Sequence, residues 1–160
     1  MATQPSQFLA NDFASLGKKK LAIFSTTWNK KINEALLAGA KEVLADYPQL
    51  EIAEYEVPGS VELGFAIQKH AQHKIADAYI AFGCVIRGGT PHFDYVCDAA
   101  NQSIMQLNLS LPSPVIFGVL TLENEEQAWE RLGGPHGHKG KEAAQTALAM
   151  MAYQEALSKS

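Results

Sequence analysis

Cysteine is scarce in this chain: among 160 residues only Cys84 and Cys97 occur, and they form no CxxC pair. Nothing calls for a disulfide, so a reducing cytoplasm is the expected setting. Positive charge is also short. The formal net charge is -4 at pH 7, which argues against non-specific binding to nucleic acid or to an anionic membrane. The one basic run, Lys18-Lys19-Lys20, borders the first expected strand and reads as a solvated strand entry. No apolar run approaches the ~20 residues that a membrane helix needs. Residues 1–17 lack the basic-then-apolar layout of a signal peptide and read as a polar N-terminal arm. What is present is a globular composition, 47% hydrophobic and 19% charged, long enough for one domain, expected over 18–160, around one sizeable core.

The apolar pattern alternates between strand and helix. Leu21–Phe24 is a short apolar run, expected as the first strand. Asn29 is positioned to cap a helix in which Ile32, Leu36, Leu37, Ala40, Val43 and Leu44 recur at helical spacing. Glu51–Val57 alternates polar and apolar residues, as a half-buried strand does. After the Pro58-Gly59 turn, Ser60 is positioned to cap a helix reaching about Gln72. Ala78–Ile86 is nearly all apolar, a strand buried on both faces. The loop Arg87–His92 leads into a helix ending near Ser110, and Pro114–Leu120 is a fourth strand. Two helices, Glu123–Leu132 and His138–Ser158, are expected to follow, separated by Gly133–Gly137. Strands alternating with helices imply a four-stranded parallel sheet with helices on both faces. The expected class is therefore α/β, a flavodoxin-like three-layer αβα sandwich. In such sheets ligands bind beyond the carboxyl ends of the strands.

The chemically unusual residues gather at that edge. Trp28 follows the first strand and is able to stack on a planar ring or to plug the core. Phe117, in the fourth strand, carries the same two readings. Gly88-Gly89-Thr90 leads to a helix N-terminus, where bare backbone, free N–H groups and a hydroxyl suit an anion. A plain tight turn is the alternative, and the Walker pattern is absent. Arg87 and Arg131 are the only arginines among thirteen basic residues. A guanidinium fork suits phosphate better than an ammonium does, although an ordinary surface arginine is equally consistent. His92 ends the loop, and histidine exchanges protons near neutral pH; a loop histidine facing water is the alternative. His136-Gly137-His138 has no carboxylate or cysteine spaced to complete a metal site. Cys84, within a buried strand, reads as packing rather than reactive.

Several stretches resemble the lumazine synthase family. They are Val57-Pro58-Gly59-Ser60-Val61-Glu62-Leu63, the run from Gly83 through Arg87-Gly88-Gly89-Thr90-Pro91-His92 to Val96, Pro114-Val115-Ile116-Phe117-Gly118-Val119-Leu120-Thr121, and Glu126–Arg131. The resemblance covers roughly Leu21 to Met150. It implies a transferase of riboflavin biosynthesis that condenses 5-amino-6-ribitylaminouracil with 3,4-dihydroxy-2-butanone 4-phosphate. Phosphate and water leave, and neither metal nor organic cofactor is used. By resemblance, Trp28 stacks on the pyrimidine, and Ser60, Val61 and Glu62 line the ring and ribityl chain. Cys84, Val85 and Ile86 contact the pyrimidine, and Phe117 packs against it from a neighbouring subunit. Gly89 and Thr90 bind the phosphate with Arg131 as counter-ion, His92 transfers protons, and Lys139 lies near the site.

The resemblance also implies a homo-oligomer. Family members form pentamers, and in some twelve pentamers close an icosahedral, sixty-subunit shell; riboflavin synthase is a further expected partner. An insertion within the segment Gly133–Gly140 tends to stop assembly at the pentamer, and this chain, with the expected spacing between Arg131 and Lys139, has none. The chain departs from the family pattern at Gly64 (usually proline), Val61 (often aromatic), Cys84 (often threonine), Pro135 (often lysine) and His138 (often asparagine). The alternative function is a non-catalytic flavin- or lumazine-binding, or shell-forming, member of the same family.

Overall fold

The computed structural model describes residues 13–159. Its elements run β1 (Lys19–Thr26), α1 (Lys30–Leu44), β2 (Leu50–Val57), α2 (Glu62–His73), β3 (Ala78–Ile86), α3 (His92–Ser110), β4 (Val115–Leu122), α4 (Glu126–Trp129), β5 (Leu132–Gly134), β6 (Gly137–His138) and α5 (Lys139–Ser158). The first four strands form one sheet in the order β2-β1-β3-β4, with every pair parallel. This is the expected flanked α/β sandwich.

Alternation along each strand sends successive side chains to opposite layers. Leu21 and Ile23 of β1, with Ile80 and Phe82 of β3, meet α1 and α5 through Leu36, Ala40, Ala144 and Leu148. Ala22, Phe24, Tyr79 and Ala81 meet α2 and α3 through Leu63, Ile67 and Ile104. β3 is central, so both of its faces are covered, which explains its unbroken apolar run. β2 is one of the two edge strands, with β4, and keeps its alternating pattern of partial exposure. Phe13 and Leu16, at the described end of the expected arm, are buried in the first of these cores. The remainder of that arm, residues 1–12, lies outside the described residues.

Local structure differs from expectation in three places. Asn29 precedes α1 as expected, but its side chain makes no cap; the residue adopts φ 56°, and its amide reaches elsewhere. Ser60 does not cap α2, which begins two residues later; its side chain is buried instead. The helix expected over Glu123–Leu132 shrinks to the single turn α4. Beyond it the segment Gly133–Gly137, expected as a plain separator, makes an antiparallel hairpin of β5 and β6. Gly133 at φ 111° and Gly137 at φ 75° supply the left-handed backbone that this hairpin requires. No helix among the described residues is long and apolar enough to cross a membrane.

Candidate active site

The carboxyl ends of β1, β2 and β3 open on one edge, and a cavity of about 620 Å³ lies there. Its first wall is the β1–α1 loop. Trp28 stands 74% exposed, yet its backbone is tied down. Its N–H donates to the Pro58 carbonyl at 3.2 Å, and the Thr27 N–H donates to that of Val57 at 2.9 Å. The Asn33 amide, 2% exposed, donates to the carbonyls of Thr26 at 3.0 Å and Trp28 at 2.8 Å. The Asn29 amide donates to the Cys84 carbonyl at 2.8 Å, joining this loop to the end of β3. The fold itself gains little from this exposed indole, and the backbone held at both ends leaves its face open to the cavity.

The opposite wall is the start of α2, with Ser60, Val61 and Glu62. Ser60 is buried above Gly83; a Cβ on residue 83 would lie 2.6 Å from its Oγ. The β3 glycine therefore sets the depth of this wall. Cys84, Val85 and Ile86 form the floor. Burial pushes the Cys84 thiol up to about 12, so it packs as a small apolar group and is not a nucleophile at neutral pH.

The rim is the loop that enters α3. Gly88, Thr90 and His92 border the cavity, and the His92 N–H donates to Thr90 Oγ1 at 3.4 Å. A Cβ added at Gly88 or Gly89 would meet nothing within 4 Å, and neither residue has positive φ. Neither packing nor turn geometry demands glycine here. Arg87, a candidate anion ligand by residue type, is already engaged. It binds Glu123 at 2.9 Å and Asp94 at 3.0 Å, and covers the Phe93 ring at 4.1 Å. It ties the ends of β3 and β4 to the first turn of α3 and so steadies the loop.

The other residues implied by the resemblance lie elsewhere. Phe117, Arg131 and Lys139 line a second depression of about 610 Å³ along β4. There the Arg131 guanidinium donates to the Gln127 carbonyl at 2.9 Å, and Lys139 pairs with Glu142 at 2.6 Å. The structure thus brings Trp28, Ser60–Glu62, Cys84–Ile86, Thr90 and His92 together. Gly89 stands within the rim loop, and Phe117, Arg131 and Lys139 are set apart. Among the described residues no group of three histidine, cysteine or acidic side chains is arranged to hold a metal ion.

Comparison with known proteins decides the family. The family model described as 6,7-dimethyl-8-ribityllumazine synthase matches residues 18–155. The chain belongs to the 6,7-dimethyl-8-ribityllumazine synthase family. Relatives of that name share 46% identity in Cytophaga hutchinsonii, over 89% of this chain and 91% of that protein, and 43% in Parabacteroides distasonis, over 94% and 98%. The relative from Porphyromonas gingivalis is 46% identical over 94% of this chain and 96% of its own. A solved LacI-family transcription repressor from Corynebacterium glutamicum aligns at 18% identity, over 92% of this chain and 56% of that one, with a TM-score of 0.44; it carries no argument. Family membership makes this chain a transferase of riboflavin biosynthesis, a lumazine synthase, acting on small molecules.

Three residues that position the site escaped sequence reasoning. Asn33 had a visible signal: it is a polar residue beside Ile32 and Leu36 in the buried stripe of α1. Asn29 looked like an ordinary cap, and Gly83 looked like any strand residue.

Proposed function

We propose that the cavity beside Trp28 binds 5-amino-6-ribitylaminouracil, with its pyrimidine on the indole and its ribityl chain along Ser60, Val61 and Glu62. Cys84, Val85 and Ile86 contact the ring. The phosphate of 3,4-dihydroxy-2-butanone 4-phosphate sits at Gly89 and Thr90, against the N-terminus of α3, where free N–H groups and the helix dipole favour an anion. His92 moves protons during imine formation, phosphate loss and ring closure. General acid–base help of this kind is worth ~10²–10⁴-fold. Fixing two small partners side by side contributes at least as much. The observation that carries this reading is the pair Gly88-Gly89: bare backbone with room above it and no structural need for glycine. No cofactor takes part.

Arg131, Phe117 and Lys139 reach such a site from a neighbouring copy. Each chain then offers half a site at its sheet edge and the complementary half along β4. Phe117, 43% exposed within a strand, supports that arrangement, because a half-exposed aromatic there gains by being covered. A closed ring satisfies every such heterologous contact, and the pentamer is the assembly proposed, with the sixty-subunit shell as its higher form. The single domain over 18–160, a cytoplasmic location and hand-over of the product to riboflavin synthase complete the proposal.

The test is turnover of the two substrates without added metal, followed by lumazine fluorescence. No rate above the spontaneous condensation, with tight lumazine binding retained, would favour the non-catalytic binding protein. Native mass measurement showing a monomer would remove the shared-site arrangement.

A further inference from the structure

The second depression is bordered by the hairpin β5–β6, which separates Arg131 from Lys139. The Lys139 N–H donates to the Arg131 carbonyl at 2.8 Å, closing the base of the hairpin. His138, opposite Leu132 in that hairpin, seats the second strand of the hairpin on α1, while Leu132 packs against the core from the first. Its ring fills a slot in α1 that exists only because residue 39 is glycine. A Cβ there would fall inside the imidazole, 2.5 Å from Nδ1 and 2.6 Å from Nε2. Nδ1 is buried and has no hydrogen-bond partner, so on that side the ring is held by the shape of the slot.

The slot has charged neighbours. Glu42 of α1 pairs with Lys141 of α5 at 2.6 Å, and Glu142 holds Lys139 at 2.6 Å. Burial, followed by Lys141, lowers the His138 imidazole below its ordinary range, which keeps the ring neutral in its slot.

We propose that His138 is a positioning residue: seated in the Gly39 slot, it sets where the hairpin presents Arg131 to the phosphorylated substrate. This rests on the reading of Arg131 as the phosphate counter-ion. A ring wedged between a helix and a hairpin fixes the hairpin's height, because neither the ring nor the α1 backbone compresses. Displacing a binding group by about 1 Å is enough to cost up to ~10²-fold.

The experiment is steady-state kinetics of the assembled enzyme with each substrate varied in turn, beside thermal melting. His138→Ala is expected to raise KM for the dihydroxybutanone phosphate about tenfold. KM for the ribitylaminouracil should stay within about twofold. Arg131→Ala should raise the first KM at least as much, and His138→Ala added to it should cost nothing more, because both act on one interaction. Gly39→Ala should mimic His138→Ala by evicting the ring, and the Gly39→Ala/His138→Ala pair should melt higher than Gly39→Ala alone. If His138→Ala fails to fold, His138→Asn is measured in its place, with the same expectation at smaller size. The proposal is overturned if both KM values rise together, or if the His138 and Arg131 effects multiply. It is also overturned if the phosphate KM responds to Arg131→Ala but not to His138→Ala, an outcome that leaves the clamp standing. An unchanged phosphate KM in Arg131→Ala overturns the clamp itself, and the present proposal with it.

Discussion

The two depressions are nearly equal in volume, about 620 and 610 Å³, but they are built differently. The first sits on three parallel strand ends and is braced by hydrogen bonds, from the Trp28 N–H to the Pro58 carbonyl and from the Asn29 side-chain amide to the Cys84 carbonyl. The second runs along β4 and the start of α5, and its Arg131 stands between the single turn α4 and the three-residue strand β5. A site on the sheet inherits the sheet's rigidity. One on a hairpin is only as well placed as its anchor to the body of the protein. On the proposed reading, stacking, proton transfer and the Gly89-Thr90 contact fall to the first region, and the Arg131 counter-ion falls to the second, where its placement depends on the hairpin beside it.

The largest expected effect tests whether the two regions form one site across subunits. His92→Ala should lower kcat about 100-fold without abolishing turnover, because the substrates remain fixed. Arg131→Ala should raise KM for the phosphorylated substrate about tenfold, through loss of a charge-assisted contact. Co-assembled from mixed, unfolded subunits, the two variants should recover about a quarter of wild-type activity, since random assembly leaves that share of sites intact. Activity in the mixture equal to the mean of the two variants would place both residues in one chain's site.

A smaller effect sharpens the contrast in bracing. Asn33→Ala removes the donor to the Thr26, Trp28 and Asn29 carbonyls and should cost about 2 kcal/mol of stability, read by thermal melting, with KM rising for the ribitylaminouracil alone. An equal rise in both KM values would show that the two regions are braced together.

The smallest concerns pH. His70, half-buried and packed edge-on against Phe24, Tyr55 and Tyr79, and His138 are both held below their ordinary value of 6.5, chiefly by their partial burial. A depressed folded pKa means that the unfolded chain takes up protons first. The stability these groups contribute is therefore full above 6.5 and lost as pH falls below it. Melting temperature should drop on acidification from neutral to pH ~5, and His70→Phe should flatten part of that slope. An unchanged slope in this variant would remove His70 from the account.

Much of this was legible in the residues. Strand and helix order followed from apolar runs and helical spacing, and β3 was recognisable as buried on both faces from its unbroken apolar run; that the equally apolar β4 lies at the edge of the sheet was not. Gly88-Gly89-Thr90 and His92 stood out because small, polar and titratable residues at a strand's carboxyl end have few structural duties. What misled was local chemistry. Asn29 and Ser60 carried the signature of caps, but tertiary partners took both side chains, the Cys84 carbonyl one and the space over Gly83 the other. The run Glu123–Leu132 looked helical, yet Gly133 and Gly137 turned its continuation into a hairpin.

By itself, then, the sequence determined the layer order, the parallel sheet, the edge at which chemistry gathers and the family to which the motifs belong. These depend on periodicity and short-range residue type, which a linear chain records. Only the tertiary structure decided that Phe117, Arg131 and Lys139 stand apart from Trp28 and His92 within one chain, that Arg87 is already engaged by Glu123 and Asp94, and that His138 fills a slot left by Gly39. Those facts depend on which distant residues meet, and packing at close to crystalline density settles that between segments a hundred residues apart.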